Sequence, residues 1–237
     1  MVISKNTDKW FVVSLGGSLI IPNGGVDVKF LHQFNQFIRK KINRGQRFFI
    51  VCGGGATCRH YLAAGKAIDP HITDYDLDWL GTHATRLNAQ LMRTLFRDIC
   101  YQRVIKHYEI IDKEALNHKV VIAAGWKPGW STDYDAVMLA VDYRIPDIVI
   151  NLSDVMGVYN KDPKKFPDAK LMPHLTWEKY RHIIGNEWIP GMSIPWDPIA
   201  SKLAQENKIT VIITNGHDLE NLDNILAGRK FKGTLIE

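Results

Sequence analysis

The sequence is short of the features that mark several familiar protein classes. It has three cysteines, Cys52, Cys58 and Cys100, and no Cys-x-x-Cys pair, which argues against a disulfide framework or a zinc site and predicts small buried side chains. The apolar stretch after Lys9 is interrupted by Gly-Gly-Ser at 16–18 and lacks a cleavage site, so no signal peptide is expected. No apolar run reaches membrane-spanning length. We therefore expect a cytoplasmic protein without a membrane partner.

Motifs of several enzyme and binding classes are absent as well. Neither the Walker pattern ending in Gly-Lys-Ser/Thr nor Gly-x-Gly-x-x-Gly occurs, which argues against P-loop kinases and Rossmann dehydrogenases. The nine histidines show no metal-ligand spacing, so no protein metal site is expected. The net charge of +5 favours an anionic partner. The basic residues are scattered, however, with the cluster 39–41 expected on the exposed side of a helix, and nucleic acid is not an expected partner.

The chain does contain enough apolar material for one α/β domain, since 46% of its 237 residues are hydrophobic. Apolar runs predict strands at 10–15, 48–52, 120–124, 148–152 and 210–214, with 234–236 as a closing edge strand. Helices are predicted at about 30–42, 56–67, 75–99, 133–143, 176–184, from 197 onward and at 219–226, with an irregular stretch through 196. This alternation predicts an α/β, three-layer αβα sandwich with a mainly parallel central sheet.

The longest predicted helix, 75–99, has two distinct faces. Its apolar stripe is expected in the core and consists of Leu77, Leu80, Ala84, Leu87, Leu91 and Leu95. A polar line on another face consists of Asp78, Thr82, Thr85 and Asn88. The pattern leaves open whether this line faces a cleft or is a solvated surface.

Three predicted strands end in glycine: at 16–17, at 53–55 and at 125. Ligands of open α/β sheets bind beyond the carboxyl ends of the strands. Glycine lets backbone N–H groups approach phosphate oxygens, and a following helix N-terminus adds partial positive charge. A single glycine pair is more often a simple turn, but glycines on successive strands favour a phosphate site.

Several segments resemble, in chain order, the UMP kinases of the archaeal type within the amino-acid kinase superfamily. They are VSLGGS at 13–18, VCGGG at 51–55 with Arg59, GTHATRLNA at 81–89, PGWSTD at 128–133, DVMGVYNKDP at 154–163, DPIASK at 197–202 and GTLI at 233–236. The resemblance implies a carbamate kinase-like fold in a single domain over 1–237. It also implies an acceptor-binding lobe up to about 145 and an ATP-binding lobe from about 146.

The resemblance further implies phosphoryl transfer from ATP to UMP, giving UDP and ADP in pyrimidine nucleotide biosynthesis. ATP would be bound by Gly17, Ser18, Gly55, Arg59, Ser153, Asp154, Tyr159 and Asp162. UMP would be bound by Gly54, Asp78, Trp126, Lys127, Pro128, Gly129, Trp130, Ser131 and Thr132. Mg²⁺ would be held largely by phosphates and water.

Two carboxylates compete in this scheme for the role of organising the cationic groups around the transferred phosphoryl. Asp133 holds that place by resemblance, with Arg59 as the second catalytic residue. Asp135 competes because 131–133 and 135–137 each match half of the family pattern. The sequence leaves open which of the two carboxylates has this role.

The chain also departs from the family pattern on the acceptor side and around the phosphates. Small and histidine residues of the family are replaced at 126, 127 and 130, Ala56 stands where a basic residue is frequent, and Asp154 stands where Asn is usual. Many superfamily members have a lysine in the first loop, where this chain has Ser14 and Leu15. Lys161 is our first candidate for the missing cation, ahead of Lys127 and Lys202.

Two other functions therefore remain open. One is a sister kinase acting on an amino-acid carboxylate or on isopentenyl phosphate, for which His60 after the triple glycine is a weak indication. The other is a non-catalytic nucleotide-binding or storage protein of the same fold. By resemblance the chain is expected to form a homo-oligomer, a hexamer built on dimers.

Overall fold

The computed structural model describes residues 9–108, 110–145, 148–163, 165–185 and 194–237. The predicted irregular stretch at 186–193 lies outside these residues. The described strands are β1 (Lys9–Leu15), β2 (Gln46–Cys52), β3 (Val120–Ala123), β4 (Ile148–Ser153), β5 (His174–Leu175), β6 (Thr210–Asn215) and β7 (Thr234–Ile236). The described α-helices are α1 (Gly17–Ile20), α2 (Val28–Ile42), α3 (Gly55–Ile68), α4 (Asp74–Leu95), α5 (Thr132–Asp142), α6 (Trp177–Ile184), α7 (Pro198–Glu206) and α8 (Leu219–Leu226).

The strands form one sheet in the order β3-β2-β1-β4-β6-β7-β5. Every adjacent pair is parallel except β6 and β7, which are antiparallel. The prediction that 234–236 closes the sheet as an edge strand is wrong, because β5 pairs with the outer side of β7. A two-residue strand such as β5 is too short to leave a periodic signal in the sequence.

Alternating side chains of the strands fill two cores, one on each face of the sheet. Val12 packs into the core that contains apolar residues of α5, α6 and α7. Its neighbour Val13 packs into the core on the opposite face, with residues of α1, α2, α4 and α8. Successive side chains of a strand point to opposite faces, so one apolar run supplies both cores. The predicted three-layer sandwich with a mainly parallel sheet is confirmed.

Two predictions about which helix residues are buried are wrong. Lys41 is only 4% exposed and forms an ion pair with Asp223 of α8, so the cluster 39–41 does not lie entirely on a solvated face. Leu87 of the predicted apolar stripe is 61% exposed, although Leu77 and Ala84 are buried. Helix α4 also ends at Leu95, four residues before the predicted end. The described helices include none long and apolar enough to cross a membrane.

Candidate active site

The first two glycine loops interlock at the carboxyl ends of β1 and β2. A Cβ at Gly17 would lie 2.0 Å from the backbone nitrogen of Gly55, so no side chain fits there. Gly55 has φ +63°, a left-handed conformation that glycine adopts without strain. The amide of Gly53 donates to the carbonyl of Leu15 at 2.9 Å, which ties the two loops together.

This junction has the properties of an anion site. Helix α3 begins at Gly55, so the positive end of its dipole lies at the loops, and the Ala56 amide of its first turn donates to the Ile21 carbonyl at 2.8 Å. The guanidinium of Arg59, one turn into α3, donates to Ser18 Oγ at 3.1 Å and to Asn23 Oδ1 at 3.1 Å. Four of the predicted ATP residues, Gly17, Ser18, Gly55 and Arg59, therefore lie together.

The polar line of α4 faces this part of the molecule rather than solvent. Asn88 is buried and its amide donates to the carbonyls of Gly53 at 2.7 Å and Gly54 at 3.0 Å. Thr85 Oγ1 accepts the amide of Gly125, the third strand-end glycine, at 2.8 Å. One face of α4 thus holds the second and third glycine loops in a common position.

The predicted acceptor residues form a segment, 126–132, that α4 and α7 hold at several points. Arg86 donates to the carbonyls of Gly125 at 3.1 Å and Trp126 at 2.6 Å. Asp78 Oδ2 accepts the amide of Gly129 at 2.7 Å. Burial raises the pKa of Asp78, while this hydrogen bond lowers it. One carboxylate oxygen of Asp78 is therefore used to hold the segment.

Aromatic rings make the inner wall of the same segment. Trp126 is 8% exposed and packs edge-to-face on Trp130, with ring centroids 4.6 Å apart. Trp130 in turn contacts Tyr134 of α5 at 4.4 Å. The Lys127 ammonium lies 3.9 Å from the Trp126 ring and 4.7 Å from the Trp130 ring, a cation–π arrangement.

Asp133 lies in the first turn of α5, at the end of β1. Its Oδ1 accepts a hydrogen bond from Ser14 Oγ at 3.1 Å, and the residue as a whole is half-buried. Burial, followed by the charge of Asp197, raises the pKa of Asp133 to about 7, although the Ser14 bond opposes the shift. Asp133 is therefore a carboxylate close to the first glycine loop, and it ionises near neutral pH.

Asp135, its competitor in the sequence, has no exposed surface. Burial raises its pKa well above the ordinary value, and the charges of Asp197 and Asp133 add to that rise. The Trp126 amide and the Arg86 guanidinium act in the opposite direction. The two carboxyl groups thus occupy different environments, and Asp133 is the one with an exposed surface.

Asp197 connects α7 to the acceptor segment. As predicted, it is the N-cap of α7, and its Oδ1 accepts the amides of Ile199 at 2.6 Å and Ala200 at 2.9 Å. Its Oδ2 accepts a hydrogen bond from Ser131 Oγ, and Ser131 caps α5 by accepting the amide of Tyr134 at 3.1 Å. Burial raises the pKa of Asp197 to about 6. The N-termini of α5 and α7 are therefore joined.

Other predicted ATP residues lie at the ends of β4 and β6. The amide of Gly16 donates to the carbonyl of Leu152 at 2.8 Å, so Ser153 adjoins the first glycine loop. The Ser153 hydroxyl donates to Asp154 at 3.3 Å, and Asn215 of β6 donates to the Asp154 carbonyl at 3.3 Å. This places Ser153 and Asp154 beside the interlocked glycine loops.

Tyr159 and Asp162 have different neighbours. Tyr159 makes an antiparallel bridge with Leu171, and the carbonyl of Asp162 accepts the amide of Phe166 at 2.9 Å. Lys161, our first candidate for an extra cation, forms an ion pair with Asp168 at 2.5 Å. These contacts lie within 158–172, and the Val158 amide of the same stretch donates to Thr234 Oγ1 of β7 at 2.8 Å.

Three residues that the sequence did not single out as site residues belong to this arrangement. Ser14 contacts Asp133, Arg86 holds the start of the acceptor segment, and Asp197 meets Ser131. The Asp-Pro pattern at 197–198 explains Asp197 as a helix N-cap, and it gives no indication of the contact with Ser131. Arg86 lies four residues after Thr82 and one before Leu87, so helical spacing alone gave it no special face.

A cavity of about 760 Å³ lies apart from the glycine loops. Its described lining comes from α4, from 101–112 and from Tyr143, and it includes none of the predicted nucleotide residues. Arg86 is the residue that borders both this cavity and the acceptor segment. The cavity is therefore separate from the predicted nucleotide residues.

Comparisons with known proteins agree with this geometry. The model of the amino acid kinase family matches residues 9–215. The chain is 36% identical over 197 residues to a uridylate kinase of Sulfolobus acidocaldarius, covering 82% of this chain and 86% of that protein. It is 34% identical over 227 residues to a uridylate kinase of Thermococcus sibiricus, covering 95% and 98%.

A solved structure extends the likeness to three dimensions. The crystal structure of uridylate kinase from Archaeoglobus fulgidus has a TM-score of 0.81 at 27% identity, covering 97% of this chain and 100% of that one. The interlocked glycine loops, the α3 N-terminus and the acceptor segment therefore occur in a chain whose whole sheet follows a known kinase fold. The chain belongs to the amino acid kinase family, in its uridylate kinase branch.

Proposed function

We propose that this protein transfers the γ-phosphoryl group of ATP to UMP, giving ADP and UDP, as a step of pyrimidine nucleotide biosynthesis. The observation that carries the proposal is the connection between two half-sites. Ser14, two residues before the interlocked glycine loops, holds Asp133, and Asp133 follows the acceptor segment 126–132 directly. The likeness to uridylate kinases over 82% or more of the chain supports UMP as the acceptor.

Phosphoryl transfer depends mainly on positioning and on stabilising charge, and the site suits both needs. The amides at the start of α3, with Arg59, supply positive potential for the ATP phosphates. Asp133 would orient the cationic groups around the transferred phosphoryl, since it is the partly exposed member of the carboxylate pair. The base and ribose of ATP would lie toward Ser153, Asp154, Tyr159 and Asp162, in the lobe from about 146.

Magnesium fits this site as part of the nucleotide rather than as a resident ion. Among the residues that the structure describes, no group of three or more His, Cys, Asp or Glu side chains could hold a metal. Mg²⁺ is commonly bound through substrate phosphates, water and one or two carboxylates. Bound in that way, it would neutralise charge on the phosphates of ATP.

On the acceptor side, Asp78 and the aromatic segment would set the choice of UMP. Asp78 Oδ2 accepts the Gly129 amide, and the carboxylate has a second oxygen with which to accept a ribose hydroxyl. Trp126, Lys127 and Trp130 give this segment a cationic and aromatic surface that suits a nucleotide monophosphate.

The test is coupled ADP release with Mg-ATP and a panel of acceptors: UMP, dUMP, CMP, AMP, isopentenyl phosphate and N-acetylglutamate. We expect a strong preference for UMP. Turnover with isopentenyl phosphate or N-acetylglutamate but not with UMP would assign a sister kinase. ATP binding without turnover of any acceptor would identify a non-catalytic nucleotide-binding protein.

We also propose that the protein is a homo-oligomer, a hexamer by family resemblance, in the reducing cytoplasm. Helix α3 fully buries only Ala56 in this chain and leaves Tyr61 and Ile68 62% and 84% exposed. Large apolar side chains exposed on one helix are typical of a surface that another subunit covers. Light scattering on the purified protein tests the stoichiometry, and an Ile68→Asp variant of smaller mass would assign the surface.

A further inference from the structure

Asp135 is a buried carboxyl group that the proposed reaction does not use. It lies in the first turn of α5 with 0% of its surface exposed. Among the described residues, neither of its oxygens has a partner at hydrogen-bond geometry. Burying a carboxyl group without such partners is costly, so its presence calls for a compensating role.

The charged and titratable groups that interact with Asp135 come from α4, from α5, from the N-terminus of α7 and from residue 108. Asp133 precedes it on α5, Asp197 approaches from the N-terminus of α7, and Arg86 approaches from α4. Tyr108 lies on a further side, with its hydroxyl donating to the Ala124 carbonyl at 2.9 Å. Tyr134 also interacts with Asp135: burial raises the pKa of Tyr134, and the charge of Asp135 adds to that rise. Two acids and one guanidinium thus face a carboxyl group that solvent does not reach.

The Trp126 backbone interacts with both Asp135 and Arg86. Its amide approaches the Asp135 carboxyl closely enough to lower the pKa of that group, although the approach does not meet full hydrogen-bond geometry. Its carbonyl accepts a hydrogen bond from Arg86 at 2.6 Å, and the preceding carbonyl of Gly125 accepts another at 3.1 Å. The peptide at which the acceptor segment leaves β3 is therefore held by hydrogen bonds from Arg86, and the buried carboxyl group of Asp135 lies beside it.

We propose that Asp135 and Arg86 are positioning residues, which together fix the backbone of Gly125 and Trp126 and thereby orient the acceptor segment. The inference rests on the proposed function where it speaks of an acceptor. The coupling of Asp135 and Arg86 to the backbone of Gly125 and Trp126 does not depend on that function. It also assigns a different role to each acid of the pair. Asp133 acts at the transferred phosphoryl group, and Asp135 acts indirectly by orienting the acceptor segment.

Steady-state kinetics on Asp135→Asn, Asp133→Asn and Asp142→Asn tests this division. Asp142 is a matched control, a half-buried acid on the same helix. For Asp135→Asn we expect KM for the acceptor to rise about 3- to 10-fold with kcat changed less than about 3-fold and KM for ATP constant. For Asp133→Asn we expect loss of kcat, and for Asp142→Asn neither effect. A loss of kcat in Asp135→Asn equal to that in Asp133→Asn would overturn the proposal.

Hydrogen–deuterium exchange of the ligand-free protein gives a readout that does not depend on the reaction. We expect faster exchange over 126–130, including the Gly129 amide that donates to Asp78, in both Asp135→Asn and Arg86→Met, but not in Asp142→Asn. Arg86→Lys should restore part of the protection. Unchanged exchange in both Asp135→Asn and Arg86→Met would overturn the coupling. Altered exchange together with no turnover of UMP by the wild type would refute only the proposed function.

Discussion

The segments that follow β3 and β4 are held in different ways. The acceptor segment 126–132 is fixed by buried or half-buried side chains of α4 and of the α7 N-cap, including Arg86 and Asp197. In the segment 154–162, the Asp154 carbonyl accepts from Asn215 and the Val158 amide donates to Thr234 Oγ1 at 2.8 Å, whereas Lys161 pairs with an Asp168 side chain that is 76% exposed. Interactions removed from water are worth more than solvated ones, so substitution of Arg86 or Asp197 on the acceptor side should have a much larger effect than substitution of Asp168 on the ATP side.

The largest expected effect lies where the two sides meet, at Asp133. Asp133→Asn should lower kcat by about 10²- to 10³-fold, as expected for loss of one electrostatic contact to the reacting centre. Because the pKa of Asp133 is raised to about 7, the ionised form grows as pH rises through that value, and wild-type activity should rise with it. The measurement is a pH–rate profile of both proteins. A variant with wild-type kcat would show that Asp133 does not face the reaction.

The second expected effect is on the junction of α5 and α7. Asp197→Ala removes the acceptor of two α7 amides and the partner of Ser131, and should destabilise the protein by about 2–4 kcal/mol. Urea denaturation measures this free energy of unfolding. Asp218→Ala, which removes the N-cap of α8 on the opposite face of the sheet from α5 and α7, is the matched control and should cost about 1 kcal/mol. Equal losses would mean that Asp197 acts only as a cap.

Substitution of Asp78 should sharpen the comparison on the acceptor side. Asp78→Ala removes the acceptor of the Gly129 amide and should raise KM for UMP about tenfold, while KM for ATP stays constant. Asp74→Ala, an exposed acid one turn earlier on the same helix, should change neither constant. An equal rise in KM for ATP would remove the distinction between the two segments.

A smaller effect concerns stability and pH. The folded protein holds the pKa of Asp133, Asp135 and Asp197 above their ordinary values, so it binds more protons than the unfolded chain. Stability should therefore fall as pH rises from about 4 through about 7. Asp135→Asn should raise Tm by a few degrees at pH 8 and by much less at pH 4.5, which differential scanning calorimetry can measure. A gain in Tm that is equal at both pH values would contradict this account.

The smallest expected effect is on the ATP side. Asp168→Ala removes the partner of Lys161, but the Asp168 side chain is 76% exposed and the pair is solvated. We expect KM for ATP to change less than about 2-fold and Tm to remain constant within about a degree. A change in KM for ATP as large as the expected effect of Asp78→Ala on UMP would break the comparison, because the two segments would then be equally sensitive.

Much of the fold could be predicted because it follows from local patterns. The apolar runs of β1, β2 and β4 are continuous, and the boundaries of α8 and the N-cap of α7 coincide with their predictions. The polar line of α4 was visible as well, although the sequence could not decide between a cleft and a solvated face. Thr85 and Asn88 are buried because the glycine loops pack onto them, and that contact joins residues about 35–40 positions apart.

The sequence by itself determined most of the strands and helices, although not β5 or α1, and showed where glycine allows close approach of the backbone. Both depend on the intrinsic geometry of neighbouring residues. Only the tertiary structure decided that β7 lies inside the sheet, that Lys41 is buried, and that Asp133 reaches the surface while Asp135 does not. The environment of a side chain is set by elements distant in sequence, here α4 and α7, whose charges and packing no local pattern contains.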